Sequence, residues 1–237
     1  ADIGTTNQPG ATGDGIEIAK AAGAALEGIE YIQMLPIGSA PTVSTVIDSL
    51  IFVNQNGERF VREDGRRDQM SLAILDQTGQ YMYMINDQRV VDANVSQKGL
   101  EDRLAAGTIY KADTLEELAG MIGVDADNLV KTVEEFNQNV KDKKVDQFGR
   151  EVYDMTIEVG PFWASGQQKP MLHHTMGGVR IDTSARVLNE QNQPIPGLYA
   201  AGEVCGGIHG ANRLGGNAVP DVFIFGRVAA KSAVEGK

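Results

Sequence analysis

The sequence predicts an α/β chain in which an α+β segment is inserted between two glycine-rich ends. Three observations carry that expectation. Both ends alternate polar, glycine-rich loops with helical patterns, as in the Gly- and Thr-rich start ahead of Asp14–Leu26 and Gly215–Asn217 ahead of Ala218–Val234. The middle of the chain instead sets short strand-like runs before two strongly amphipathic helices. With 237 residues, 42% of them hydrophobic, there is enough apolar surface for a sizeable core.

Taken in order, a helix is expected from about Asp14 to Leu26, with Ile16, Ile18, Ala19, Ala22 and Ala25 on its apolar face. Asp14 stands where a carboxylate usually caps free backbone N–H groups. Two strand-like runs follow, EYIQMLP and SLIFVNQ, and then Asn56-Gly57, which predicts a hairpin turn into ERFVRE. The charged cluster Glu63–Asp68 leads into a further helix, and on composition alone Arg66 and Arg67 read as a solvated pair offset by Glu63, Asp64 and Asp68. YMYMIND reads as a strand and Leu100–Leu104 as a short helix. TLEELAGMIGV and ADNLVKTVEEFNQNVKDK read as amphipathic helices, with Thr114 and Asp125 or Asp127 as caps and an apolar stripe for the core. Asn94-Val95-Ser96 is a short glycosylation triplet, a weak match.

The stretch Leu172–Val219 has the composition of a site. It holds all three histidines, His173, His174 and His209, together with Arg213 among glycines that let a ligand approach the backbone. LYAA reads as a short buried strand ending in Gly202-Glu203, where a carboxylate could accept hydrogen bonds from ribose hydroxyls or could simply be a surface charge. Ala218–Val234, with Pro220 in its first turn, reads as a helix carrying Val222, Phe223, Phe225, Val228 and Ala229. The N-terminus of such a helix suits an anion: a phosphate, a carboxylate or the edge of a reduced flavin.

Composition excludes several classes of function. A net charge of -11 without a basic stripe argues against nucleic acid or an anionic membrane surface as a partner. The single cysteine, Cys205, permits neither an internal disulfide nor a cysteine-based metal site, and reads as a small packing residue. His173 and His174 make a poor chelate because adjacent side chains diverge in extended backbone, so no metal is expected. No apolar run approaches the roughly 20 residues needed to span a bilayer.

Several of these segments together resemble a known family. HHTMGGV, IPGLYAAGEVCGGIHGANRLGGNA and FGRVAA look like the C-terminal signature of the FAD-dependent fumarate reductase and succinate dehydrogenase flavoproteins, in particular the soluble type that includes flavocytochrome c and urocanate reductase. TNQPGATGDGIEIAKAAGA and VNQNGERFVREDGRRD extend the likeness to the start and middle of the chain. Members open with a strand, G-x-G-x-x-G and a helix that hold the FAD pyrophosphate, and no G-x-G-x-x-G occurs here. The resemblance therefore implies an α/β flavin-domain part, lacking the N-terminal dinucleotide-binding unit, with an inserted α+β capping domain. The expected segments are 1–35 and 156–237 for the flavin domain and 36–155 for the cap. The expected partners are the N-terminal FAD-binding half of the same enzyme, an electron-donor domain or protein, and a small unsaturated carboxylate.

The resemblance also assigns roles. Asp14, Thr175, Glu203, Ala218 and Val219 would line the FAD, while His174, Arg213 and Gly216 would hold the substrate carboxylate. Arg67 aligns with the proton-donating arginine of an R-F-x-N-E-x-x-x-R-D pattern through Arg59, Phe60, Glu63 and Asp68, with Arg62 in place of the asparagine. The implied reaction is flavin-dependent reduction of an α,β-unsaturated carboxylate. Where the family has a histidine in Q-x-H-P-T this chain has Leu35, and Val43 and Val46 fall near its glutamate and arginine, with Asp48 a possible substitute acid. A more apolar substrate than fumarate is expected. Two alternatives stay open: a non-catalytic fragment or subunit that needs a partner chain, and a ketosteroid-type flavin dehydrogenase. The second is opposed by His209-Gly210-Ala211-Asn212-Arg213, which stands where that group has Tyr-Pro-Gly.

Overall fold

The structure is a computed structural model that describes residues 3–44, 49–94 and 99–236. Val46, Asp48 and the Asn94–Ser96 triplet, as a triplet, lie outside the described residues. The chain divides into a middle unit, Leu35–Met171 with the chain start up to Gly4, and an end unit, Thr5–Met34 with Leu172–Lys237.

The end unit begins with α1 (Asp14–Ala21), β1 (Leu26–Glu27) and β2 (Ile32–Leu35). The first helix is shorter than expected because Gly23 turns the backbone at φ 90° and Leu26 is drawn into a strand. The middle unit follows with β3 (Ile51–Val53), α2 (Arg67–Leu75), β4 (Tyr83–Asp87), α3 (Gln88–Asn94), α4 (Leu100–Ala105), β5 (Tyr110–Ala112), α5 (Leu115–Ile122), α6 (Ala126–Asp142) and β6 (Phe162–Ala164). Its sheet is antiparallel in the order β3-β4-β6-β5. The unit runs on past the expected boundary at 155 because β6 pairs with both β4 and β5 and belongs to their sheet.

Alternation along the strands builds two layers of core. Ile51, Val53, Tyr83 and Ile85 face α5 and α6, meeting Leu118, Ile122, Leu129, Val133 and Phe136. Phe52 and Met84 point the other way, to Met70 and Ile74 of α2. Thr114 and Asp125 cap α5 and α6, accepting from the N–H groups of Glu117 and Asn128.

The hairpin expected after Asn56-Gly57 does not form. The turn is present, with Gly57 at φ 79° and its N–H donating to the Asn54 carbonyl. ERFVRE, however, does not continue as a strand, and β3 pairs with β4 instead. The backbone N–H of Phe52 donates to the Glu63 carboxylate at 3.0 Å, so a side chain occupies part of the edge a second strand would use. Glu63 in turn accepts from Arg59 (2.7 and 2.9 Å) and Arg150 (2.9 Å). Arg150 is fully buried and also donates to the carbonyls of Leu50 and Val152. Burial alone would lower the Arg59 pKa, but the Glu63 and Asp146 carboxylates more than offset it and leave it raised.

The end unit closes with β7 (Met171–Thr175), β8 (Gly178–Val179), β9 (Arg186–Leu188), β10 (Pro194–Tyr199) and α7 (Ala218–Glu235). It holds three two-stranded pairings, β1 with β8, β9 with β10, and β2 with β7. Its core is small, centred on Ala19, Ala24, Val179 and Val187. The strand expected at LYAA is β10, which starts earlier and is half-exposed rather than buried, because β9 is its sole partner strand among the described residues. Of the apolar positions expected along α7, Val222 and Phe223 are 47% and 66% exposed and Phe225, Val228 and Ala229 half-buried, while Asp221 and Ser232 are its buried residues.

Replacing Glu63 with Leu would strand the Arg150 charge in the interior, which costs roughly 3–5 kcal/mol. A chemical denaturation curve should show a loss of that size, whereas a change below about 1 kcal/mol would mean that the ion-pair cluster does not hold this edge of the sheet.

Candidate functional site

The end unit gathers three of the expected site residues around one strand end. β7 carries His174 and Thr175, and the chain after β10 brings Glu203 beside them. The Thr175 N–H donates to Glu203 Oε1 at 3.0 Å, and the Thr175 hydroxyl lies 3.4 Å from the same oxygen. His174 Nε2 is 3.8 Å from Glu203 Oε2, while its Nδ1 lies 2.5 Å from the Thr175 carbonyl. That contact requires Nδ1 to carry the proton, since a carbonyl can only accept. His173 turns the opposite way, with Nδ1 2.7 Å from the Thr6 hydroxyl, so the neighbouring imidazoles diverge as the extended backbone dictates.

His174 and Arg213 are both buried, at 7% and 4% exposure, in a unit whose core is otherwise small. Arg213 Nη1 donates to the Leu214 carbonyl at 3.3 Å. Burial pushes the His174 pKa down from its ordinary value, as do the charge of Arg213 and the nearby His209, while Glu203 pulls it upward. Burial thus favours the uncharged ring, while the Glu203 carboxylate 3.8 Å from Nε2 favours a proton there.

Backbone approaches backbone tightly at this end of the unit. A Cβ on Gly178 would overlap the Val204 carbonyl, and one on Gly206 would overlap the Glu27 carbonyl, so both glycines are required for close packing. Gly216, expected against the substrate, needs glycine for a different reason: its φ is 87° and the space around it is open. Asp14 is an exposed first residue of α1, with Gly13 at the N-cap position. A Cβ on the next residue, Gly15, would lie 3.0 Å from the Val204 side chain, so the start of α1 lies against the residue following Glu203. Ala218 and Val219 open α7, where the Asn217 side chain makes no capping hydrogen bond and Val219 is exposed.

Arg67 belongs to the middle unit, as the first residue of α2. The charged cluster around it is sorted into pairs: Arg59 with Glu63, Arg62 with Asp64, and Arg66 with Asp68. Arg67 is half-buried and has no ion-pair partner among the described residues, which separates it from the solvated pair that composition suggests. Of the residues replacing the family's relay, Val43 is buried and Leu35 half-buried, and the other positions lie outside the described residues.

Sequence reasoning assigned no role to Gln33, His209 or Asp221. Gln33, on β2, is fully buried and its Nε2 donates to Asn212 Oδ1 at 3.1 Å and to the Arg213 carbonyl. His209 Nε2 is 3.1 Å from Asp221 Oδ2, and the His209 ring stands edge-on to His174 at 6.0 Å between centroids. A buried acid inside an otherwise apolar helix start is the signal that marks Asp221. Cys205 is buried, and burial followed by the Asp221 charge pushes its thiol up to about 12, as a packing residue requires and a nucleophile does not. Among the described residues no cluster of three or more His, Cys, Asp or Glu side chains is arranged for a metal, and no helix is long and apolar enough to cross a membrane.

Comparison with known proteins follows the same lines. The sequence profile of the FAD binding domain family matches residues 2–219. NADH:acrylate oxidoreductase of Vibrio harveyi is 45% identical over 98% of this chain and 24% of its own length. A fumarate reductase (cytochrome) of Shewanella frigidimarina is 43% identical over 98% of this chain and 41% of its own. The solved open conformation of a flavocytochrome c3 fumarate reductase is 39% identical, covers 99% of this chain and 42% of that one, and superposes with a TM-score of 0.72. The chain thus spans well under half the length of these relatives.

In an NMR titration the His174 ring should titrate below the ordinary imidazole value of about 6.5. Glu203→Gln should lower it further, since the carboxylate favours the imidazolium; an upward shift in that variant would contradict the geometry of the pair.

Proposed function

The chain belongs to the FAD-binding-domain family, and from that premise we propose that it forms part of a flavin-dependent reductase that saturates the C=C bond of a small α,β-unsaturated carboxylate. The observation that carries this reading is the buried pair His174 and Arg213, set beside Glu203 and Thr175 in one cluster. A guanidinium and an imidazole at one place suit a carboxylate, which an arginine binds through paired N–H donors. The space around Gly216 is open and leaves room for such a ligand.

FAD, held in part by Asp14, Thr175, Glu203, Ala218 and Val219, supplies hydride chemistry when bound. Arg213, together with His174 once the arriving anion favours a proton on its Nε2, grips the substrate carboxylate and stabilises the negative charge that spreads onto it as the β-carbon is reduced. In a dehydrated site that stabilisation is worth more than in water. Arg67 gives a proton to the α-carbon. An arginine can do so when its acceptor is a carbanion far more basic than the guanidine and water is excluded. The half-buried, unpaired setting of Arg67 supports this role. Residues 36–155 act as the cap that carries Arg67, and Leu35 and Val43 in place of polar relay groups favour a substrate with a less polar tail than fumarate.

The parent enzyme needs a second FAD-binding part, carrying the G-x-G-x-x-G that this chain lacks, and an electron-donor domain or protein. The open apolar face of α7 supports the first requirement: Val219, Val222, Phe223 and Ile224 are 61, 47, 66 and 58% exposed, a patch that calls for cover. The isolated chain is then expected to hold no flavin, which is the sense in which the fragment reading survives.

In the full flavoprotein, Arg67→Ala should lower kcat for acrylate reduction by at least about a hundredfold while carboxylate binding persists, as loss of a general acid does. Normal turnover in that variant removes Arg67 from the mechanism. Purified alone, the 237-residue chain should show no visible flavin absorption after gel filtration, and should gain it when co-expressed with the polypeptide bearing the dinucleotide-binding unit. Stoichiometric flavin on the chain alone would refute the need for that partner.

A further inference from the structure

Arg213 lies on a loop, Gly206–Gly216, that contains no helix or strand and is flanked by glycines at both ends. Such a segment has no ladder of its own to fix a guanidinium in place. Two buried side chains reach the loop from different elements. Gln33 on β2 donates to Asn212 Oδ1 and to the Arg213 carbonyl, holding the arginine's own backbone. Asp221, one turn into α7 and 5% exposed, binds His209 Nε2 at the other side of the same loop. Each leaves a side-chain oxygen, Gln33 Oε1 and Asp221 Oδ1, buried without a hydrogen-bond partner among the described residues. That penalty is one an apolar residue of the same size would avoid, so packing alone does not account for either side chain.

We infer that Gln33 and Asp221 are positioning residues for the carboxylate clamp: they pin the Arg213 loop at two points and, through His209, set the wall against which His174 stands. The inference rests on the reading of His174 and Arg213 as the clamp. Neither residue touches the substrate. Asp221 acts through His209, whose ring meets His174 edge-on at 6.0 Å, and Gln33 acts through the backbone of Arg213. Affinity for a carboxylate then depends on side chains that have no contact with it, because a displaced guanidinium loses its alignment with the ligand.

The experiment uses the full flavoprotein with Gln33→Met and Asp221→Asn, both close in shape to the originals. Propionate binding is followed through the flavin spectrum and acrylate turnover through kcat and KM, alone and in an Arg213→Lys background. Each single variant should weaken propionate about tenfold and raise the acrylate KM in step, a loss in the range of one hydrogen bond to a functional group. In the Arg213→Lys background either variant should add less than about twofold, since residues acting through one group are not additive. Should one variant fail to fold, the other still tests the loop from its own side. Single variants that bind as the parent does, or losses that multiply fully with Arg213→Lys, overturn the inference. A parent enzyme that neither binds propionate nor reduces acrylate overturns the underlying functional reading instead, and does so before any variant is compared.

Discussion

Glu63 is the group on which the middle unit depends. It sits with no solvent exposure between two guanidinium groups, Arg59 and Arg150, and receives the backbone N–H of Phe52 as well. A carboxylate so placed does three things at once. It neutralises a buried arginine, ends the strand edge at β3, and fixes the point from which the chain turns toward α2. Arg59 and Arg150 also lie against the Phe136 ring at 5.5 and 4.9 Å, so the charge cluster is built into the apolar core rather than set apart from it. The position of Arg67, four residues further on, is inherited from this anchoring.

The two units are stabilised differently. The middle unit has a four-stranded sheet covered on both faces, with β4 buried along its whole length. The end unit has short strand pairs and a core of small residues, and it spends its interior on polar groups: Gln33, His174, Arg213 and Asp221. Few apolar contacts and several buried polar side chains leave its order resting on specific hydrogen bonds more than on burial.

Much of this was legible in the sequence, and the gaps have physical causes. The helices α5 and α6 announce themselves through period and through caps at Thr114 and Asp125, which are local signals. α7 was equally legible as a helix, but its apolar face points outward, something periodicity cannot reveal because it reports amphipathicity and not what covers the face. The hairpin after Gly57 was a sound local expectation overridden by Glu63 and Arg150, which lie 87 positions apart. The same applies to the site. His174, Thr175, Glu203 and Arg213 stand inside a recognisable motif, whereas Gln33 meets Arg213 across 180 residues and could be found only once the fold was known.

The exposed face of α7 also governs how the isolated chain behaves in solution. Its excess of 11 negative charges repels other copies at long range, while Val222, Phe223 and Ile224 attract them at contact. Repulsion between exposed charges fades beyond a Debye length, about 10 Å at 0.1 M salt and about 3 Å at 1 M. Hydrophobic contact is not screened in this way. Colloidal stability in this chain is therefore a balance set by ionic strength, with dilute buffer keeping molecules apart and concentrated salt letting their uncovered helices meet.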